Sequence, residues 1–135
     1  RFKRKNVKIS IVEDNKLLAK QVSMVLKKEG YKVEVFHNGD AFLKNFNSKI
    51  DILLLDINLP DMEGIEVLDI LRKFQNDTKT IFMTSYTDMK YLKKAYELDC
   101  EDYIKKPFEI EELLLRIKRV EKSIKPKTLE RGEYS

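Results

Sequence analysis

A chain of 135 residues suits one domain, and at that length folding buries about two-thirds of the unfolded surface. With 42% hydrophobic and 37% charged residues the composition is that of a soluble globular protein; no uncharged run is long enough to span a bilayer, and no signal-peptide pattern opens the chain. The one cysteine, Cys100, excludes an internal disulfide, suits a reducing cytoplasm, and is read as a small core filler.

The net charge of +4 sits at the ends. Arg1, Lys3, Arg4 and Lys5 precede any core residue, and Lys118, Arg119, Lys122, Lys125 and Lys127 face only Glu121, whereas residues 6–117 hold 17 basic and 20 acidic side chains. A solvated tail and a helix end account for this, so direct nucleic-acid binding by this segment is not expected.

Residues 7–12 (VKISIV) alternate and finish apolar, predicting a first strand that runs into Glu13 and Asp14. Asn15 can cap a helix with Leu18, Val22, Val25 and Leu26 at helical spacing, ended by Gly30. KVEVF, 32–36, is a second strand by strict alternation. His37, Asn38 and Gly39 form a turn in which His37 is read as a surface residue, and 40–46 gives a short helix carrying Phe42, Leu43 and Phe46.

The run Ile52–Leu55 has no polar member, which suits a strand buried on both faces, and it delivers Asp56 to the carboxyl end of that strand. Asn58, Pro60, Asp61 and Gly64 then make a loop. Residues 64–74 predict a third helix with Ile65, Leu68, Leu71 and Phe74 on one face. Residues 80–83 are a fourth strand finishing on Thr84 and Ser85, and Asp88 can open a fourth helix, with a thin apolar stripe, to about Leu98. Tyr103 and Ile104 mark a fifth strand before Lys105, Lys106 and Pro107. From Glu109 a last helix places Ile110, Leu113, Leu114, Ile117, Val120 and Ile124 at helical spacing until Pro126. Residues 125–135 read as a linker or tail, and the chain as a piece trimmed from something longer.

Strands alternating with helices through short connections imply a parallel sheet covered on both faces. Ligands gather at the carboxyl ends of such strands. Glu13 with Asp14, Asp56, Thr84 with Ser85, and Lys106 share that address. Three carboxylates this close repel unless a cation neutralises them, and all-oxygen ligands favour a hard ion, Mg²⁺. A carboxylate beside Mg²⁺, a lysine and a hydroxyl are the parts that phosphoryl transfer needs, with Asp56 as nucleophile.

The motifs IVEDN (11–15), LLLDINLPDMEG (53–64), FMTS (82–85) and DYIKKPF (102–108), in that order, resemble the receiver domain of two-component response regulators over residues 7–124. The resemblance implies an α/β, flavodoxin-like fold: a doubly wound five-stranded parallel sheet of order 2-1-3-4-5 flanked by five helices, between a basic tail at 1–6 and the tail at 125–135. It implies Asp56 as phosphoacceptor for a sensor histidine kinase, and Mg²⁺ held by Glu13, Asp14, Asp56 and the backbone carbonyl of Asn58. Lys106, not Lys105, contacts the phosphoryl group before a cis Pro107. Thr84 is the switch hydroxyl, Tyr103 the switch aromatic, and Asn58 and Tyr86 tune dephosphorylation, with Tyr86 shielding the acyl phosphate. Asp99 stands where relatives often carry glycine, in a turn that needs a left-handed residue, and Cys100 where they often carry alanine.

The expected product is a phosphorylation-activated cytoplasmic switch, not an enzyme with an external substrate. Its output face is the fourth helix, fifth strand and fifth helix, where Lys93, Lys94, Glu101, Asp102, Glu112, Arg116 and Arg119 form a mixed-charge surface fit for solvent or for a homodimer. An output domain beyond Ser135, controlling transcription as in relatives with a DNA-binding output domain, belongs to the same expectation. A phosphate-independent interaction module is the alternative. A phosphatase of the haloacid dehalogenase type is the weaker one, because Asn58 stands where its general acid would be.

Overall fold

The computed structural model describes residues 7–46, 49–74, 78–85 and 89–124. Five strands, β1 (Lys8–Val12), β2 (Lys32–Phe36), β3 (Ile52–Asp56), β4 (Lys79–Thr84) and β5 (Asp102–Lys105), alternate with five helices. These are α1 (Lys16–Lys28), α2 (Gly39–Asn45), α3 (Gly64–Phe74), α4 (Met89–Glu97) and α5 (Ile110–Glu121). All strand pairs are parallel, in the order β2-β1-β3-β4-β5. The fold is the expected doubly wound α/β architecture.

Alternation along the strands divides the core in two. Ile9, Ile11, Ile52, Leu54, Ile81, Met83 and Ile104 pack on one face of the sheet with Ala19, Val22 and Leu26 of α1 and Leu113, Ile117 and Val120 of α5. Val12, Leu53, Leu55 and Phe82 face the other way, against Phe42 of α2, Ile65, Val67, Leu68 and Leu71 of α3, and Ala95 of α4. β3 is buried at every residue, as a central strand with helices above and below must be. Burying each of its leucines contributes about 2 kcal/mol.

Local signals act as their chemistry requires. Asn15 accepts the Leu18 amide at 3.0 Å and caps α1, and Gly30, just past the C-cap Glu29, takes the left-handed region with φ 100°. Asp99 takes φ 61°, the conformation its turn requires. Cys100 is buried, and its thiol is pushed up to about 11 by burial and by the charges of Asp102 and Glu101; it is a core filler.

Four expectations need correction. Phe74 is 75% exposed, whereas Val67, two turns earlier in α3, is buried in the core. The last turn of α3 is fastened by Arg72 instead, whose guanidinium donates to the carbonyls of Leu98, Thr78 and Asp99 at 2.9, 3.0 and 3.1 Å. α5 stops at Glu121, short of Ile124, where Ser123 Oγ donates to the Val120 carbonyl at 2.6 Å and competes with the helix ladder. Asp102 is not an open surface charge: it is 8% exposed and held by Arg116 Nη1 at 2.9 and 3.0 Å. Arg116 also reaches Glu112, so part of the mixed-charge face is satisfied within the domain. Finally, His37 is half-buried and hydrogen-bonded, not a bare surface residue.

Asp88, Tyr86 and the tails 1–6 and 125–135 lie outside the described residues.

Candidate functional site

The carboxyl ends of β1, β3, β4 and β5 deliver the site. Glu13 leaves β1 and is almost fully buried, its amide donating to the Phe36 carbonyl at 3.0 Å and its Oε2 accepting the Asn15 amide at 3.0 Å. Asp14 follows it, exposed. Asp56 ends β3, 4% exposed, with Oδ1 accepting the Asn58 amide at 3.0 Å. Carboxylate oxygens of Glu13, Asp14 and Asp56 all lie within 4.8 Å of one another.

Lys106 closes the cluster. Its Nζ stands 2.6 Å from Glu13 Oε1 and 3.2 Å from Asp56 Oδ2, on the loop entered through the Lys106–Pro107 cis peptide. Burial pulls the Lys106 ammonium down, but contact with Glu13 and the charge of Asp56 outweigh it and hold the pKa above its ordinary value. Asp56 goes the other way. Burial first, and the Glu13 charge second, push its carboxyl up to about 6 against the opposing pull of Lys106 and the Asn58 amide.

Thr84, at the end of β4, follows Met83, the register partner of Asp56. It is buried, and its carbonyl accepts the Lys106 amide at 2.8 Å. Tyr103 lies further off on β5, half-buried, its ring edge-to-face with Tyr96 of α4 at 6.4 Å between centroids. Asn58 is exposed and bridges to Glu63, and the loop then closes through the Gly64 amide, which donates to the Ile57 carbonyl at 2.6 Å. Only glycine fits at 64, because a Cβ would overlap the Asp56 carbonyl and approach Ile57 Cα at 2.9 Å.

The donor set suits a divalent cation. Glu13 Oε1 is buried, with Lys106 Nζ 2.6 Å away as its ion-pair partner, and a carboxylate oxygen so placed still has a lone pair to offer a cation. Three carboxylates and one ammonium leave two negative charges for an ion to neutralise. Oxygen ligands alone select a hard metal.

Sequence reasoning grouped Glu13, Asp14, Asp56, Thr84 and Lys106; the structure gathers the side chains of Glu13, Asp14, Asp56 and Lys106, and joins Thr84 to them through its backbone bond to Lys106. It did not find the supporting contacts of His37, whose Nδ1 is 3.0 Å from the Glu13 carbonyl oxygen, or of Asp61, which accepts the Gly39 and Asp40 amides. Neither carries a periodic signal; only adjacency across the fold reveals them.

Fold and site together define a flavodoxin-like α/β domain with an acidic, lysine-faced cleft at the carboxyl edge of its sheet. A family model described as the response regulator receiver domain matches residues 9–118. The chain belongs to that family. It is 36% identical over 127 residues to YkoG, an uncharacterized transcriptional regulatory protein of Bacillus subtilis, covering 93% of this chain and 56% of YkoG. It is 38% identical over 117 residues to the transcriptional regulatory protein CrdR of Helicobacter pylori, covering 83% of this chain and 54% of CrdR. Among solved structures it is similar to the response regulator DrrB, a Thermotoga maritima OmpR/PhoB homolog, with TM-score 0.79, 32% identity, and 87% of this chain and 53% of DrrB covered. The BeF3-activated DrrB receiver domain matches with the same TM-score and 98% of its length covered. This chain spans about half the length of the curated relatives it matches.

Proposed function

We propose that this receiver domain is a phosphorylation-activated switch in which Asp56 accepts a phosphoryl group from a phosphohistidine of a sensor kinase. An Asp56 carboxylate oxygen attacks phosphorus as the P–N bond breaks. The electron pair leaves with the imidazole nitrogen, which takes up a proton, and Asp56 becomes an acyl phosphate. The observation that carries this reading is the buried Asp56 carboxylate touching Lys106 Nζ at 3.2 Å beside two further acids.

Glu13, Asp14, Asp56 and the Asn58 carbonyl are the residues that would hold Mg²⁺. When bound, the ion supplies charge neutralisation to the phosphoryl oxygens. The chain's own groups do the rest. The Asn58 amide fixes Oδ1 of Asp56. Lys106 offers its ammonium to a phosphoryl oxygen, and Thr84 offers its hydroxyl to another. Those contacts exist only with phosphate present, so they bias a two-state equilibrium, with Tyr103 following the displacement of Thr84.

Beside Lys106, a groove of about 440 Å³ lined by Asn15, Leu18, Gln21, Pro107 and Phe108 gives a protein donor room to approach. The α4–β5–α5 face is the output surface, open to a homodimer or to an output domain elsewhere in the whole protein, with transcription as the controlled process, the role named in the relatives. Asn58 and Tyr86 are the residues we assign to tuning dephosphorylation. The setting is cytoplasmic, and among the described residues no helix is long and apolar enough to cross a membrane.

Beryllofluoride tests the reading without a kinase. Fluorine NMR of the parent with Mg²⁺ should show a saturable bound signal that Asp56→Asn abolishes. A signal that persists in Asp56→Asn contradicts the assignment of the acceptor.

A further inference from the structure

The turn between β2 and α2, residues 37–40, touches both loops that carry the proposed cation ligands. On one side, His37 Nδ1 sits 3.0 Å from the Glu13 carbonyl oxygen. A carbonyl only accepts, so Nδ1 carries the proton and His37 donates. On the other side, the Asp61 carboxylate reaches across from the β3–α3 loop and accepts two amides of the turn, Gly39 at 2.9 Å on Oδ1 and Asp40 at 2.8 Å on Oδ2. Gly39 itself packs against Met62, whose Cγ and Sδ would lie 2.6 Å from a Cβ there. Asn38 has its own side chain committed to the Ala41 amide at 2.7 Å, so Asp61 answers amides that begin α2 and that Asn38 does not reach.

Asp61 lies outside the carboxylate trio of Glu13, Asp14 and Asp56. Burial nudges its carboxyl up, but the amides of Gly39 and Asp40 and those of residues 61 and 62 outweigh it and hold the pKa below its ordinary value. A charged carboxylate with both oxygens engaged by a neighbouring turn is a strut between two loops.

We propose that Asp61 is a positioning residue for the cation site: through the 37–40 turn it ties the loop carrying Asn58 to the loop carrying Glu13 and Asp14, and so fixes the spacing of ligands that come from separate loops. The inference rests on the reading of those residues as Mg²⁺ ligands. Mg²⁺ tolerates little departure from octahedral geometry, so a loosened spacing costs affinity even though every ligand remains. His37 is the opposite arm of the same strut.

The test is Mg²⁺ titration by calorimetry on the full chain, for the parent, Asp61→Asn, His37→Ala and Asp40→Asn. Asp40→Asn is the control: it removes a charge from the same turn, one paired among the described residues with exposed Lys44 at 3.3 Å, and leaves the backbone link intact. Asp61→Asn should weaken Mg²⁺ by about tenfold at low and high salt alike, with His37→Ala shifting the same way. Asp40→Asn should shift it little, and not at all at high salt, where through-space charge effects are screened. In Mg²⁺-free protein, amide hydrogen exchange over residues 13–15 and 57–64 should quicken in Asp61→Asn and not in Asp40→Asn. If Asp61→Asn behaves like Asp40→Asn in both measurements, the strut is overturned while the metal site stands. If the parent shows no saturable Mg²⁺ binding, the metal site falls and the positioning role falls with it.

Discussion

Asp56 holds a charge in a place that resists it. Burial and Glu13 raise its pKa from 3.8 to about 6, and the opposing pull of Lys106 does not restore it. Between those two values the folded chain binds more protons than the unfolded one, so folding stability falls as pH rises through this range. The ionisation penalty is absent below about pH 4 and fully felt above about pH 6 to 7, with a ceiling of about 3 kcal/mol from the size of the shift. Asp56→Asn removes it. In a chelator at about pH 7.5, urea denaturation should show the variant more stable than the parent by about 1–3 kcal/mol, with the difference gone near pH 4. A less stable Asp56→Asn at neutral pH would contradict this view of the cleft. A bound divalent ion relieves the same repulsion, which is why a site that weakens the empty domain suits a ligand-dependent switch.

At the scale of elements, Arg72 does what no hydrophobic pattern announces. One guanidinium holds the carbonyls of Leu98 and Asp99, at the end of α4, and of Thr78, at the start of β4. Arg72→Ala leaves those acceptors without the charge-assisted donor and should cost about 2–3 kcal/mol of stability, with hydrogen exchange quickening in α4 more than in α1. Equal protection loss in both helices would argue against a local anchor. The elements themselves were legible because burial on two faces makes β3 a continuous apolar run, while one-sided burial gives α1 and α5 their helical spacing. The exceptions have physical causes. Phe74 keeps the period of α3 but is its final residue, where Arg72 makes the contact; Val67, on the same face two turns earlier, is buried. Ile124 keeps the period of α5 and still packs on the core, yet Ser123 has turned the backbone out of the helix. The site's first layer was legible because strand ends announce themselves in a run of apolar residues. Its support, Asp61 and His37, was not, because side chains that bind a distant backbone amide or carbonyl leave no spacing to read.

For the whole molecule, the two-sided core makes the sheet a rigid platform and sets the chemistry on its rim. Asp56 ends β3 while Glu13 and Lys106 follow β1 and β5, so a shift in any one is felt at the others through the ion-pair contacts at 2.6 and 3.2 Å. The β4 and β5 ends that carry Thr84 and Lys106 also border the α4–β5–α5 face, where Tyr103 meets Tyr96 and Arg116 holds Asp102. On the reading proposed above, a phosphoryl group on Asp56 would act on elements that border the α4–β5–α5 face. Intact mass spectrometry after incubation with acetyl phosphate, with and without Mg²⁺ and beside Asp56→Asn, shows whether Asp56 is the acceptor. One phosphoryl adduct is expected, requiring Mg²⁺ and missing from Asp56→Asn; an adduct that survives the substitution, or none at all from a parent that binds Mg²⁺, rules Asp56 out as the acceptor.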